Sequence, residues 1–129
     1  MTNESSDTIK NGTRNPVGML GLGIMGSAIA RNLVSKGHTV VGFDPDAARR
    51  QEATSLGVSM CQNSVEVSKL CEIVLLSLPD SSALDDSVSA IVQEPDLHNA
   101  GRILVELSTL DIESKTRNRD RLADVGLGF

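Results

Sequence analysis

An α/β protein built on a doubly wound parallel sheet is the fold class this sequence predicts, and three observations predict it. Short β-type runs alternate with helical stretches from Val17 onward. The first run, Val17–Leu22, is apolar on both faces, as a central parallel strand must be. A glycine-rich turn, Gly21–Gly26, then leads straight into a helical pattern.

In that helix Met25, Ile29 and Leu33 recur every four residues, with Ala28, Ala30 and Val34 alongside, which predicts a face packed on the sheet. Gly37 stops it, and Lys36 and His38 suit the negative end of the helix. Thr39–Phe43 reads as the second strand, ending at Asp44-Pro45. Asp46–Leu56 is Ala- and Arg-rich and helical, closed by Gly57; Val58–Cys61 is a short third strand. Ser64–Leu70 follows an Asn-Ser start signal as a short helix, and Glu72–Leu78 is a strand punctuated by Pro79. Asp80 or Ser81 can cap the next helix, whose Leu84, Val88, Ile91 and Val92 share a face. Ile103–Leu107 is the fifth strand. The last helix, about 111–123, is weak, because nothing from Ser114 to Arg121 is apolar. Val125–Phe129 begins a sixth strand, so the sheet is expected to be incomplete at its C-terminal end.

Composition narrows the function. The chain has 129 residues, 40% hydrophobic and 22% charged, which fits one small globular domain with an aliphatic core. It has no Trp or Tyr and only two Phe, so it lacks the stacking platforms of single-strand nucleic-acid binders. A net charge of −5 also disfavours a nucleic-acid partner. The basic cluster Lys115, Arg117, Arg119 and Arg121 is interleaved with acids and reads as a solvated helix face. No apolar run reaches the roughly 18 residues of a membrane span. Residues 1–16 lack the apolar stretch of a secretory signal and are too acidic for a good transit peptide. They read as a disordered leader, with 17–129 as the domain and a cytoplasmic location. Cys61 and Cys71 form no CxxC pair or metal-spaced set, and read as buried reduced thiols.

The chemistry lies in Gly21-Leu22-Gly23-Ile24-Met25-Gly26. A bare GxGxxG is a weak signal, but here a strand precedes it and a helix follows. Asp44 ends the second strand about 20 residues on, the spacing of a Rossmann-type dinucleotide site. Gly21 permits the tight turn, Gly23 leaves the pyrophosphate room, and Gly26 lets helix and sheet approach. Free N–H groups at the helix start then face the phosphates. A carboxylate at Asp44 can accept hydrogen bonds from both adenosine ribose hydroxyls and would repel a 2′-phosphate, so NAD is favoured, with NADP the alternative. Arg49 and Arg50 could reach round but are expected to face solvent. Leu78-Pro79-Asp80 and Ser108-Thr109 end strands four and five at the side of the sheet where ligands sit, although strand termination and helix capping would explain them equally well. His38 and His98 suggest no catalysis.

Val17–Leu33 (VGMLGLGIMGSAIARNL), Ser77–Asp80 (SLPD) and Glu106–Leu110 (ELSTL) resemble the N-terminal domain of the β-hydroxyacid dehydrogenases, the family of 3-hydroxyisobutyrate dehydrogenase, tartronate semialdehyde reductase and, more distantly, 6-phosphogluconate dehydrogenase. The resemblance implies that Leu20, Gly21, Leu22, Gly23, Ile24, Met25, Gly26 and Asp44 bind the dinucleotide. It also implies that Leu78 and Pro79 line its path and that Thr109 approaches the nicotinamide ribose. Two features depart from the family pattern: Ala83, where some members carry a cofactor-contacting Asn, and the highly charged 114–121 stretch. In the family, a substrate segment resembling DAPVSGG and a helical domain with a catalytic Lys come after the equivalent of Phe129. Lys10, Lys36, Lys69 and Lys115 fall in unrelated segments, so no residue here is assigned a catalytic role.

The expectation is therefore a truncated NAD(P)-binding domain, with a small 3-hydroxy acid as substrate only in a full-length relative and with self-association through an exposed sheet edge. A non-catalytic dinucleotide sensor or interaction module and an imine-reductase-like fragment are the alternatives.

Overall fold

The computed structural model describes residues 15–129. Most of the expected leader, residues 1–14, lies outside them.

Five strands form one parallel sheet: β1 (Val17–Leu20), β2 (Val40–Phe43), β3 (Ser59–Met60), β4 (Ile73–Leu76) and β5 (Ile103–Glu106), in the order β3-β2-β1-β4-β5. Every strand is linked to the next by a helix, as parallel pairing requires. These are α1 (Ile24–Ser35), α2 (Ala47–Ser55), α3 (Ser64–Leu70) and α4 (Ser81–Val92), with α5 (Ile112–Ala123) following β5. The chain winds outward from β1 to β3, then crosses back to lay β4 against the other side of β1. Reversing direction there opens a crevice at the carboxyl ends of β1 and β4, the usual ligand position in such sheets.

Alternation along β1 divides the core. Met19 faces α1 and α2 with Leu22, Ala30, Val40, Ala53 and Val58, whereas Leu20 faces α3, α4 and α5 with Val67, Val74, Leu84 and Leu104. Of these eleven residues, all but Leu20, Leu22, Val40 and Val58 are fully buried, and those four are at most 3% exposed. The first face covers less of the sheet, which leaves Ile73 and Ile103 half exposed. Cys61 and Cys71 are free and buried. Burial pushes both thiols up to about 11, so they stay protonated and unreactive at neutral pH.

Three expectations change. Met25 and Ala28 do not pack on the sheet: Met25 is half exposed, and Gly26 and Ala30 are the buried positions of α1. Gly26 takes the sheet-facing place because its bare backbone presses on the preceding turn, which rotates Met25 outward. The sixth strand is a single parallel bridge, Ile103 with Gly128, in which Leu104 N–H donates to the Gly128 carbonyl at 3.0 Å. That bridge pairs part of the β5 edge that was expected to be open.

The third change is α5, a full helix despite its polar sequence. Asp111 caps it, accepting from the Ser114 N–H. Asn118, wholly buried, donates to Asp85 at 2.8 Å and accepts from Arg121 at 3.0 Å. Arg117 pairs with the Asp85 carboxylate and Arg121 donates to Ser89. The basic cluster is thus only partly a solvated face. Arg119 is exposed, while Arg117 and Arg121 fasten α5 to α4.

Candidate dinucleotide-binding site

The turn from β1 to α1 is shaped by what it excludes. Gly21 has φ +95°, and a Cβ there would lie 2.0 Å from the Ser77 carbonyl oxygen of the neighbouring β4 end. A Cβ on Gly26 would lie equally close to the Gly21 carbonyl oxygen. Both positions admit glycine alone. A Cβ on Gly23 would meet only the Arg49 guanidinium, no nearer than 3.7 Å, so this glycine leaves room rather than avoiding a clash.

Gly23 is the N-cap of α1 and supplies no side-chain cap. Among the described residues the N–H groups of Gly23, Ile24 and Met25 have no hydrogen-bond partner. Such groups, with the positive end of the helix dipole behind them, form an anion cradle. The Ser27 hydroxyl donates to the Leu22 carbonyl and so bends the chain into the helix.

Asp44 stands at the tip of β2, its carboxylate only 4% exposed. Oδ2 accepts from the Leu22 N–H at 2.7 Å and Oδ1 from the Asp46 N–H at 2.8 Å. It therefore joins the glycine turn to its own turn before α2. A carboxylate offers roughly four acceptor positions, so about two stay available to hydroxyl groups.

Between these walls lies a cavity of about 330 Å³. Leu20, Gly21 and Asp44 line one side, with Leu78, Pro79 and Ala83 opposite. Phe43 and Pro45 add apolar surface, and Asp86 and Ser87 close the α4 side. This lining is mostly apolar, with Asp44, Asp86 and Arg49 as its charged residues. Leu78 is fixed by a 2.6 Å hydrogen bond from its N–H to the Ser108 Oγ, which ties the ends of β4 and β5 together. Asp80 caps α4.

Of the expected site residues, Leu20, Gly21, Asp44, Leu78 and Pro79 meet in this cavity. Leu22, Gly23 and Ile24 lie on a second cleft of about 350 Å³ at the start of α1. Gly26 supports the turn, and Met25 is exposed beside it. Thr109 is exposed after β5 and lines neither cavity.

The two arginines of α2 do not both face solvent. Arg50 folds back to donate to the carbonyls of Asp44 and Pro45, its guanidinium over the Phe43 ring. Arg49 enters the crevice with Nη1 3.9 Å from Asp44 Oδ2. Helical side chains lean toward the helix N-terminus, and α2 begins three residues after Asp44, so both arginines reach backward to β2. The run Asp44-Pro45-Asp46 was the available signal, since it sets an N-cap immediately beyond the strand. Among the described residues no helix is long and apolar enough to cross a membrane, and no His, Cys, Asp or Glu cluster could hold a metal ion.

Strand order, turn and crevice together define a dinucleotide-binding domain. The sequence profile of the NAD binding domain of 6-phosphogluconate dehydrogenase matches residues 16–129, and the chain belongs to that family. Among curated relatives, 2-(hydroxymethyl)glutarate dehydrogenase of Eubacterium barkeri is 26% identical over 113 residues, covering 88% of this chain and 38% of its own length. The cytokine-like nuclear factor N-PAC of Homo sapiens is 31% identical over 119 residues, covering 87% of this chain and 21% of its own. Among solved structures, an imine reductase from Pseudomonas sp. superposes with a TM-score of 0.79 at 25% identity, over 88% of this chain and 38% of that one. Mycobacterium tuberculosis 3-hydroxyisobutyrate dehydrogenase gives 0.78 at 23% identity, with the same two coverages. The chain therefore spans well under half the length of these proteins.

Proposed function

We propose that this chain binds NAD in preference to NADP, as the cofactor half of an oxidoreductase acting on the CH–OH group of a small 3-hydroxy acid. The observation that carries the reading is the cradle of unpartnered N–H groups at 23–25, set directly beside the Asp44 carboxylate. Leu20, Gly21, Leu22, Gly23, Ile24, Met25 and Gly26 hold the pyrophosphate. Asp44 accepts from the adenosine ribose hydroxyls, Leu78 and Pro79 flank the adenosine, and Thr109 approaches the nicotinamide ribose. When bound, the nicotinamide supplies or accepts the hydride. Carbonyl–alcohol exchange also needs a proton donor and acceptor. None of the lysines at 36, 69 and 115 lines the two clefts, so these residues bind and orient the cofactor without turning over substrate.

Titration of NADH and NADPH against the chain tests this, and the absence of Trp and Tyr leaves nicotinamide fluorescence free of interference. Tighter binding of NADH is expected, without oxidation of 3-hydroxy acids. Tighter NADPH binding would overturn the preference, and no binding would overturn the site.

A second reading is a non-catalytic dinucleotide sensor or interaction module. It is favoured by the likeness to a relative described as a nuclear factor. Cofactor-dependent change in association with a partner protein would distinguish it. The structural likeness to an imine reductase supports a third reading, in which the same half-site serves reduction of a C=N bond. Self-association through the half-exposed Ile73 and Ile103 beside the β5 edge is also expected; sedimentation independent of concentration would exclude it.

A further inference from the structure

We propose that Glu106 and Ser108 act in series as positioning residues for the cofactor. The buried Glu106 carboxylate sets the turn after β5, and the Ser108 hydroxyl of that turn holds the Leu78–Pro79 wall of the cleft. The inference rests on the dinucleotide reading of the crevice and adds to it two residues that line neither the Asp44 cleft nor the Gly23 cleft.

The wall needs a support from outside its own segment. Ser77, just before it, is tied to β1 through its N–H and the Leu20 carbonyl. Pro79 has no N–H to donate, and the Asp80 side chain is committed to capping α4. Among the described residues, one hydrogen bond ties the Leu78–Pro79 backbone to anything else, and it runs from the Leu78 N–H to Ser108 Oγ at 2.6 Å. The same hydroxyl directs its own hydrogen toward the Leu76 carbonyl, 3.5 Å away.

Ser108 is placed in turn by Glu106. The last sheet bond of this limb is from the Leu107 N–H to the Leu76 carbonyl. Beyond it the Ser108 N–H donates to the Glu106 carboxylate, 3.0 Å from each oxygen. That carboxylate is only 5% exposed, and Lys115 Nζ, from the start of α5, lies 3.3 Å from Oε1. Burying a charge is costly unless it is paired and hydrogen-bonded. Lys115 supplies the pairing and Ser108 the hydrogen bond. An apolar side chain at 106 would avoid that cost, but it would leave the Ser108 N–H without its acceptor and the hydroxyl free to turn away from Leu78.

Neither bond is needed to hold the sheet, since β4 and β5 pair from Ile73 with Ile103 to Leu76 with Glu106. Their effect falls beyond the strands, on the wall that flanks the adenosine.

The test measures dissociation constants of NADH and AMP at a temperature where every variant is folded. Ser108→Ala should weaken both ligands by about tenfold, because the Leu78 N–H loses its partner and the ligand must order the wall. Glu106→Ala should weaken both by about the same factor, and the double variant by no more than about twofold beyond either single one, as expected of residues acting in series. Glu106→Gln keeps an oxygen that can accept the Ser108 N–H and should stay within about threefold of the unaltered chain. Hydrogen exchange gives a second readout: both alanine variants should lose protection at the Leu78 amide and keep it at 74–76. Losses that multiply in the double variant would overturn the series. Reduced stability with unchanged affinities would overturn the proposal by making both residues structural only. Weakening of NADH without AMP would overturn it by moving the effect to the nicotinamide end. Should Glu106→Ala not fold, Ser108→Ala decides, and unchanged protection at Leu78 would overturn the strut. Binding of neither ligand by the unaltered chain would overturn the dinucleotide site itself, while exchange at Leu78 would still report whether Ser108 holds the wall.

Discussion

The turn between β1 and α1 sits at the centre of the sheet and the limb formed by β5 and α5 at its edge, and they are built by opposite means. In the first, the backbone does the positioning: two glycines occupy spaces that any Cβ would fill, and strand, turn and helix follow without a break. In the second, side chains do it, through a polar network of Asp85, Ser89, Asn118 and Arg121 that joins α4 to α5. The first is a continuous stretch of chain, with Gly21 also abutting Ser77 at the end of β4, whereas the second links residues more than 30 positions apart. A constraint written in neighbouring residues tolerates almost no substitution. One written across the fold gives way one hydrogen bond at a time.

The sharpest way to break the comparison is to add a single carbon at the turn. Alanine is favoured over glycine by about 1 kcal/mol in a helix interior. Gly26→Ala should nevertheless destabilise the domain by about 3 kcal/mol or more, because the new Cβ meets the Gly21 carbonyl 2.0 Å away and the backbone must shift. Gly23→Ala, three residues earlier, meets only the movable Arg49 and should stay within about 1 kcal/mol of the unaltered stability. It should still cost tenfold or more in NADH affinity, since the pyrophosphate needs that space. Urea unfolding and fluorescence titration of the two variants separate the roles. Equal stability losses would show that the two glycines are not distinct.

This contrast also explains what could be read from the sequence. All five strands and the first four helices follow from periodicity and from punctuation at Gly37, Gly57 and Pro79, because those signals act within a few residues. Asp44 was legible for the same reason, as a strand-ending acid at a set distance from the turn. Arg49 was not, since the direction of a side chain in the first helical turn depends on how closely α2 follows β2. Ser108 was legible only as the end of a strand, and its bond to the Leu78 N–H appears only once β4 and β5 are paired. The α5 limb was least legible. Its helix looked weak because its stabilising partners lie on α4, and no periodic apolar pattern records a buried amide.

At that limb the expected losses are smaller. Asn118→Ala removes a fully buried amide that bonds Asp85, the Ser114 carbonyl and Arg121. About 2 kcal/mol should be lost, the range for a buried polar group whose partners are left unmatched. Arg119→Ala on the solvent side of the same helix should change stability by less than about 0.5 kcal/mol. Chemical denaturation of both variants measures the difference. A similar loss from each would mean that α5 is held by overall charge rather than by the Asp85–Asn118 contact.

The gentlest probe is acid. Hydrogen bonds from the Ser114 N–H, the Ser114 hydroxyl and the Ser81 hydroxyl hold the Asp111 carboxyl at about 2, below its ordinary 3.8. A lowered folded value means that the stabilisation is complete above the ordinary value and is lost as pH falls toward the folded one. Asp85 is shifted the same way, first by Asn118 and then by Arg117. Between pH 3.8 and about 2, therefore, the N-terminus of α5 and its attachment to α4 should loosen while the β1–α1 turn, whose glycines pack backbone against backbone, persists. Hydrogen exchange should show protection falling at 112–118 before it falls at 24–35. Asp111→Asn sharpens the test, because Asn caps a helix about as well but does not titrate in acid. The variant should keep α5 at neutral pH and lose most of the acid step at its first turn. If protection instead falls together in both regions, the centre and the edge of the sheet open as one cooperative unit, and the division between backbone-built and side-chain-built regions does not extend to their stability.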